Sequence, residues 1–147
     1  MVTVHHLNNS RSQRVLWLLE EMGVPYEVQR YERDPKTMLA PPALLAVHPP
    51  GKSPVITDEG ITVAESGAIL EYLLERYGKG NLIPPPGSAE FTAADVQMSF
   101  PLEAAQSRAG LDASRPNLMG FLSRIHVCPA YQRALVNGGP YAFVQPD

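Results

Sequence analysis

The first 31 residues constrain the fold more than anything that follows them. VTVHHL (Val2–Leu7) is a short β-branched run that stops at Asn8-Asn9-Ser10, the pattern of an opening strand. From Ser12 to Met22 the apolar residues Val15, Leu16, Leu18, Leu19 and Met22 recur at helical spacing, and Gly23 is a natural stop. Pro25 begins a fresh segment, and Tyr26–Tyr31 alternates as a strand does. A strand, a helix and a second strand joined by so little chain imply two parallel strands lying side by side.

The pattern then changes twice. Residues 34–50 read as irregular, with one helical stretch at 43–47. Residues 53–57 read as a strand, Asp58-Glu59-Gly60 as a tight turn, and Ile61–Ala64 as the returning strand of a hairpin. In 65–77, Ile69, Leu70, Leu73 and Leu74 share one helical face, and Gly78 ends the run. The chain carries fifteen prolines, which act here as punctuation between elements. Pro84-Pro85-Pro86 within KGNLIPPPGSAE cannot continue a helix and marks a linker. Beyond it Thr92 and Asp95 have capping-box spacing, with Phe91 and Val96 placed as the apolar staple. That helix is expected to reach Arg108 with a kink at Pro101. Arg115-Pro116-Asn117 opens another, from Leu118 to His126; Pro129 then interrupts, and a last turn spans 131–135. The chain thus divides into a domain at 1–78, a linker at 79–90 and a helical region at 91–147.

Composition excludes several functions. A net charge of -3 leaves no basic footprint for nucleic acid. No apolar run is long enough to cross a bilayer, so no membrane partner is expected. The single Cys128 cannot form an internal disulfide and no export signal opens the chain, which together point to a reducing, cytoplasmic setting. His5 and His6 are adjacent, so on a strand they face opposite sides and cannot chelate one metal. His126 and Cys128 lack further ligands at zinc spacing, so no metal is expected. Trp17 reads as core.

Three ordered motifs, VHHLNNSRSQRVLWLLEEMGVPYE (4–27), HPPGKSPVITDEG (48–60) and AESGAILEYLLERYG (64–78), are followed by FTAADVQMSFPLE (91–103). Together they resemble the glutathione S-transferase superfamily, most closely its bacterial members of serine or asparagine type. The resemblance implies an α/β fold: a thioredoxin-like βαβ-ββα domain that binds glutathione, followed by a partial all-α C-terminal domain. It also implies a cytoplasmic detoxification transferase, a homodimer, with glutathione as co-substrate and a small electrophile as the other partner. One departure stands out. The pair of long helices that normally separates the linker from the FTAAD helix does not occur here, and Glu90 runs directly into Phe91: either the protein has lost them or this sequence omits that stretch. Much of the usual second-substrate wall and subunit interface would go with them.

The site residues follow residue by residue from the resemblance, each beside a plainer role. Pro54 is either an edge-strand proline with nothing to donate or, as the resemblance implies, part of a cis Ser53–Pro54 bond that lets Val55 offer its N–H and C=O to the cysteinyl part of glutathione. Glu65 and Ser66 either cap a helix or hold the γ-glutamyl end, Ser66 with the helix N-terminus taking its carboxylate and Glu65 its ammonium. Lys52 is an exposed lysine or a partner for the glycyl carboxylate, and His48 is a second candidate for the same group. The chemistry needs a thiolate, because the thiol is a poor nucleophile. Ser10 resembles the catalytic serine, donating its hydroxyl to the sulfur without itself attacking. Asn8 is the rival donor, while helix capping is the plainer role for Ser10 and Ser12. Arg11 and Arg14 raise the local positive potential, although Arg14 could instead pair with a carboxylate. No cysteine lies here, which disfavours exchange through a protein thiol, and the first strand has no tyrosine. The reaction implied is attack of the glutathione sulfur on an electrophilic small molecule. The alternatives are a glutathione-dependent disulfide reductase or peroxidase on the same site, and a truncated, non-catalytic binding or interaction module.

Overall fold

The computed structural model describes residues 1–79 and 93–144. The linker from residue 80 onward, and the Phe91 and Thr92 half of the capping box, lie outside the described residues. The element order is β1 (Val2–Leu7), α1 (Ser12–Met22), β2 (Tyr26–Tyr31), α2 (Pro42–Val47), β3 (Val55–Asp58), β4 (Ile61–Ala64), α3 (Ser66–Tyr77), α4 (Ala93–Arg108), α5 (Pro116–His126) and α6 (Pro129–Gly138).

The four strands form one sheet in the order β2-β1-β3-β4. β1 runs parallel to β2, with Val2 opposite Tyr26, and antiparallel to β3, with His5 opposite Val55. β3 and β4 form the expected hairpin, Asp58 opposite Ile61. Its turn places Glu59 at φ 48° and Gly60 at φ 86°, the two left-handed residues that such a two-residue turn needs. β1 and β3 are the two inner strands, each flanked on both sides, and Val2, Val4 and Leu7 on β1 are buried.

Helix α1 is the hub. Val15, Leu16, Trp17, Leu18 and Leu19 are all fully buried, more than one face of an amphipathic helix would bury. The reason is that α1 packs against α3, α4 and α6 as well as the sheet. Trp17 is core, as its sequence context suggests, with its ring edge-on to Tyr131 at 5.3 Å. The close approach of α6 relies on Gly138. A Cβ there would come within 2.6 Å of Gln13 Oε1 and 3.1 Å of Leu16 Cδ1.

The last element differs from expectation. Pro129 does not interrupt a helix; it occupies the first turn of α6, which runs ten residues in place of the short turn expected. Proline suits that position because its missing N–H would have no intrahelical partner anyway. Pro101 lies inside α4, which continues past it to Arg108. Among the described residues no helix is long and apolar enough to cross a membrane, and no group of three or more side chains is placed to hold a metal ion.

Candidate active site

A cavity of about 620 Å³ opens where the N-termini of α1 and α3 meet the segment before β3. Ser10, Lys52, Ser53, Pro54, Glu65 and Ser66 all line it, and so do His48 and Arg11. These residues come from segments up to 56 positions apart in the chain, and the βαβ-ββα topology brings them to one end of the sheet. The Ser53–Pro54 peptide bond is cis.

Two of the expected residues sit elsewhere. Val55 is paired with His5 on one side and Ala64 on the other, so strands occupy both of its edges and its main chain is not open to a ligand. Ser53, two residues earlier, lies beyond the last paired position. Asn8 does not line the cavity. Its Oδ1 accepts the Arg33 N–H at 3.0 Å and its carbonyl accepts Arg33 Nε at 3.3 Å, so it fastens the segment after β2.

Ser10 is buried and belongs to a chain of hydroxyls. Its Oγ lies 2.7 Å from Ser12 Oγ and 3.1 Å from Ser53 Oγ, and it accepts the Ser12 N–H at 3.2 Å. Ser12 Oγ is 2.9 Å from His6 Nδ1, and Ser53 Oγ donates to the His5 carbonyl at 3.2 Å. Burial, helped by the Arg30 charge, pushes His6 down to about 4. The helix-capping role is therefore shared: Arg11 is the N-cap residue without a side-chain bond, and the Ser10 hydroxyl takes a first-turn amide. At α3, Glu65 is the N-cap residue with φ 72° and ψ 128°, a backbone conformation seldom occupied by a residue with a side chain. Its conformation turns the chain into the helix beside the cavity.

The charge of the lining is distinctive. Among the described residues, Arg11, Arg33, Lys52 and Arg108 stand against one carboxylate, Glu65, in a protein whose net charge is -3. The positive ends of α1 and α3 add to the same field. Arg14 is not at this surface. It is buried, donates to Gln97 on α4, and stacks 5.5 Å over the Phe100 ring.

Phe100, Arg108 and Phe143 form a further wall that the sequence did not reveal. Phe143 meets Phe100 edge-on at 5.3 Å, and the Arg108 guanidinium lies 4.6 Å over the Phe143 ring. The segment carrying Phe143 is held at two points. Tyr141 donates its hydroxyl to the buried Glu103 at 2.7 Å, and the Ala142 N–H donates to Asn9 Oδ1 at 2.7 Å. Such a wall is made by tertiary packing of residues with no shared local motif, so nothing short-range announces it. His6 is the other residue missed; its sequence context excluded chelation but held no sign of the contact with Ser12. Cys128 is remote from the cavity, beside Glu21, and burial pushes its thiol pKa up.

Comparison with known proteins agrees with this architecture. Residues 1–75 match the family model described as glutathione S-transferase, N-terminal domain. Among curated proteins, Glutathione S-transferase 3 of Schizosaccharomyces pombe is 39% identical over 127 residues, covering 86% of this chain but only 46% of that protein. The chain thus spans about half the length of this relative. Among solved structures, a glutathione S-transferase from Actinobacillus pleuropneumoniae superposes with a TM-score of 0.86 at 26% identity, covering 97% of this chain and 95% of that one. A glutathione transferase homologue from Sulfitobacter, described with bound glutathione, superposes with a TM-score of 0.79 at 16% identity, covering 94% of this chain and 98% of that one. A match over half the sequence, a close curated relative and a shared fold carry one conclusion: the chain belongs to the glutathione S-transferase family.

Proposed function

We propose that this cavity binds glutathione and activates its thiol, and that the protein is a glutathione transferase. The observation that carries the reading is the convergence of Ser10, Lys52, Ser53, Glu65 and Ser66 on one electropositive cavity. Glutathione brings two carboxylates, one ammonium and a thiol that must ionise. Four basic side chains and two helix N-termini suit the anions, and the lone Glu65 suits the ammonium.

In this binding mode the γ-glutamyl carboxylate sits at the α3 N-terminus with Ser66, and its ammonium pairs with Glu65. The cysteinyl main chain lies along Ser53, which takes the part first expected of Val55. Lys52 meets the glycyl carboxylate. The sulfur then reaches Ser10, whose hydroxyl donates to the thiolate. A free thiol of this kind ionises near pH ~8.5, and a hydrogen bond to a charged acceptor is worth about 1.5–3 kcal/mol, or about one to two pKa units. The thiolate attacks an electrophilic centre held against Phe100 and Phe143, forming the new bond to sulfur as the leaving group departs with its electron pair.

The test is isothermal titration with glutathione, then a conjugation assay on a model aryl halide. Binding with turnover is expected. Ser10→Ala should raise the pKa of bound glutathione by about one unit while affinity for the thiol form stays nearly intact. No heat of binding would remove the enzyme reading.

A further inference from the structure

The hydroxyl chain at the cavity has a direction that its own hydrogen bonds settle. Each serine hydroxyl carries one proton and can donate once. Ser53 spends its proton on the His5 carbonyl, which can only accept, so the bond between Ser53 and Ser10 is donated by Ser10. Ser10 has then no proton for Ser12, so the 2.7 Å bond between them is donated by Ser12. Ser12 has in turn none for His6, so the 2.9 Å bond to Nδ1 is donated by the imidazole. His6 therefore carries its proton on Nδ1. The polarity runs from His6 through Ser12 to Ser10 and outward to the cavity.

We propose that His6, acting through Ser12, is a positioning residue that fixes the Ser10 hydroxyl as an outward donor to the glutathione sulfur. With the opposite polarity, Ser10 would donate inward to Ser12 and meet the sulfur with lone pairs. Two donors into Ser10 Oγ, the Ser12 hydroxyl and the Ser12 N–H, also polarise its O–H, since bonds in a chain strengthen one another. When the tripeptide binds, the Ser10 proton swings from Ser53 Oγ to the thiolate. One bond breaks, one forms, and no proton is transferred along the chain.

The surroundings of His6 suit this role. His6 is 3% exposed, with Arg30 from β2, Gln13 from α1 and Gly138 from α6 around it. The Arg30 charge and burial both oppose a second proton on the ring, so the imidazole stays neutral with a single N–H over the working pH range. Protonation would not reverse the chain, but loss of the Nδ1 donor would free Ser12 to turn away.

The inference rests on Ser10 being the thiol donor, and its test separates the two. The thiol pKa of bound glutathione is read from the pH dependence of thiolate ultraviolet absorption in the parent, Ser10→Ala, Ser12→Ala, His6→Leu and His6→Asn proteins. Affinity is read by calorimetry at a pH where the thiol is protonated. Ser12→Ala and His6→Leu should each raise the thiol pKa by about half a unit, with affinity within about twofold of the parent. His6→Asn, whose side-chain amide places an N–H where Nδ1 stands, should restore most of the parent value. If His6→Leu does not fold, Ser12→Ala decides alone. A pKa unchanged in Ser12→Ala but raised in Ser10→Ala would overturn the relay and leave the serine reading standing. A pKa unchanged in both would overturn both.

Discussion

Replacing Glu65 by glycine should stabilise this protein while weakening its hold on glutathione. Glu65 adopts φ 72° and ψ 128° at the head of α3, and its carbonyl accepts the Ile69 N–H at 2.9 Å, so the helix fixes that backbone in place. A side chain in such a region costs about 1–3 kcal/mol. Glycine adopts it freely but gives up about 0.5–1 kcal/mol in unfolded-chain entropy. The balance is a gain of about 1 kcal/mol, which for a chain of 147 residues corresponds to a rise in melting temperature of ~3 °C. Glu65→Ala is the control, because it removes the carboxylate and keeps the strained backbone; it should bring no gain. Both variants lose the carboxylate proposed to pair with the γ-glutamyl ammonium, and affinity should fall about fivefold in each. Thermal melts and glutathione calorimetry on the three proteins check the set. A glycine variant that melts at or below the parent, or one that binds glutathione as tightly, would refute the reasoning.

Two further substitutions test the frame around the site. Ser66→Ala removes one donor to a carboxylate at the α3 N-terminus, and glutathione affinity measured by calorimetry should fall about tenfold. Asp58 is buried at the end of β3 and accepts from Tyr77 at 2.6 Å, Tyr72 at 2.9 Å and Arg76 Nε at 3.2 Å. Burial pushes its carboxyl up, but the Tyr77 and Tyr72 hydroxyls and the Arg76 charge outweigh it and hold the pKa below the usual carboxylate value. A group depressed in the folded state contributes stability above its unfolded pKa and loses it as pH falls through the folded value. Asp58→Asn should therefore cost about 2 kcal/mol at neutral pH, and urea titrations should show the deficit shrinking below pH ~4. A deficit constant with pH would count against the assignment.

What the sequence revealed and what it hid divide along the range of the interactions. The bounded β-branched run of Val2–Leu7, the alternation in Tyr26–Tyr31, the helical spacing of Val15 to Leu19 and the Asp58-Glu59-Gly60 turn are local signals, and the elements they imply are present. That Ser10, Lys52, Ser53, Pro54, Glu65 and Ser66 would share one cavity was legible because each sits at a fixed offset from one of those elements. Val55 misled because local pattern does not show how far pairing runs along β3: His5 and Ala64 take its two sides, and the first unpaired main chain lies before it. Asn8 misled similarly, since its partner Arg33 lies in a segment without periodicity. Proline is ambiguous at short range, and Pro129 reads as a break until the following turn is seen to close on α1. Phe100, Arg108 and Phe143 carry no local signature, because only the packing of α4 and of the segment after α6 brings them together.

In the proposed binding mode that wall ties thiol activation to electrophile placement. The N-terminal elements alone would hold a tripeptide with its sulfur open to water, where a hydrogen bond to a thiolate is heavily screened. Phe100 and Phe143 cover that side with apolar surface, so in the proposed binding mode the Ser10 bond acts in a less polar medium and is worth more. The wall is tied to the helix that carries Ser12. Arg14 on α1 bonds Gln97 and stacks on Phe100, while Glu103 on α4 receives the Tyr131 and Tyr141 hydroxyls and so fixes the segment bearing Phe143. A shift of α4 would thus move the aromatic wall and disturb α1 together. In the proposed binding mode, the same helix that orients the donor would set the distance at which an electrophile meets the sulfur, because α1 packs against both α3 and α4.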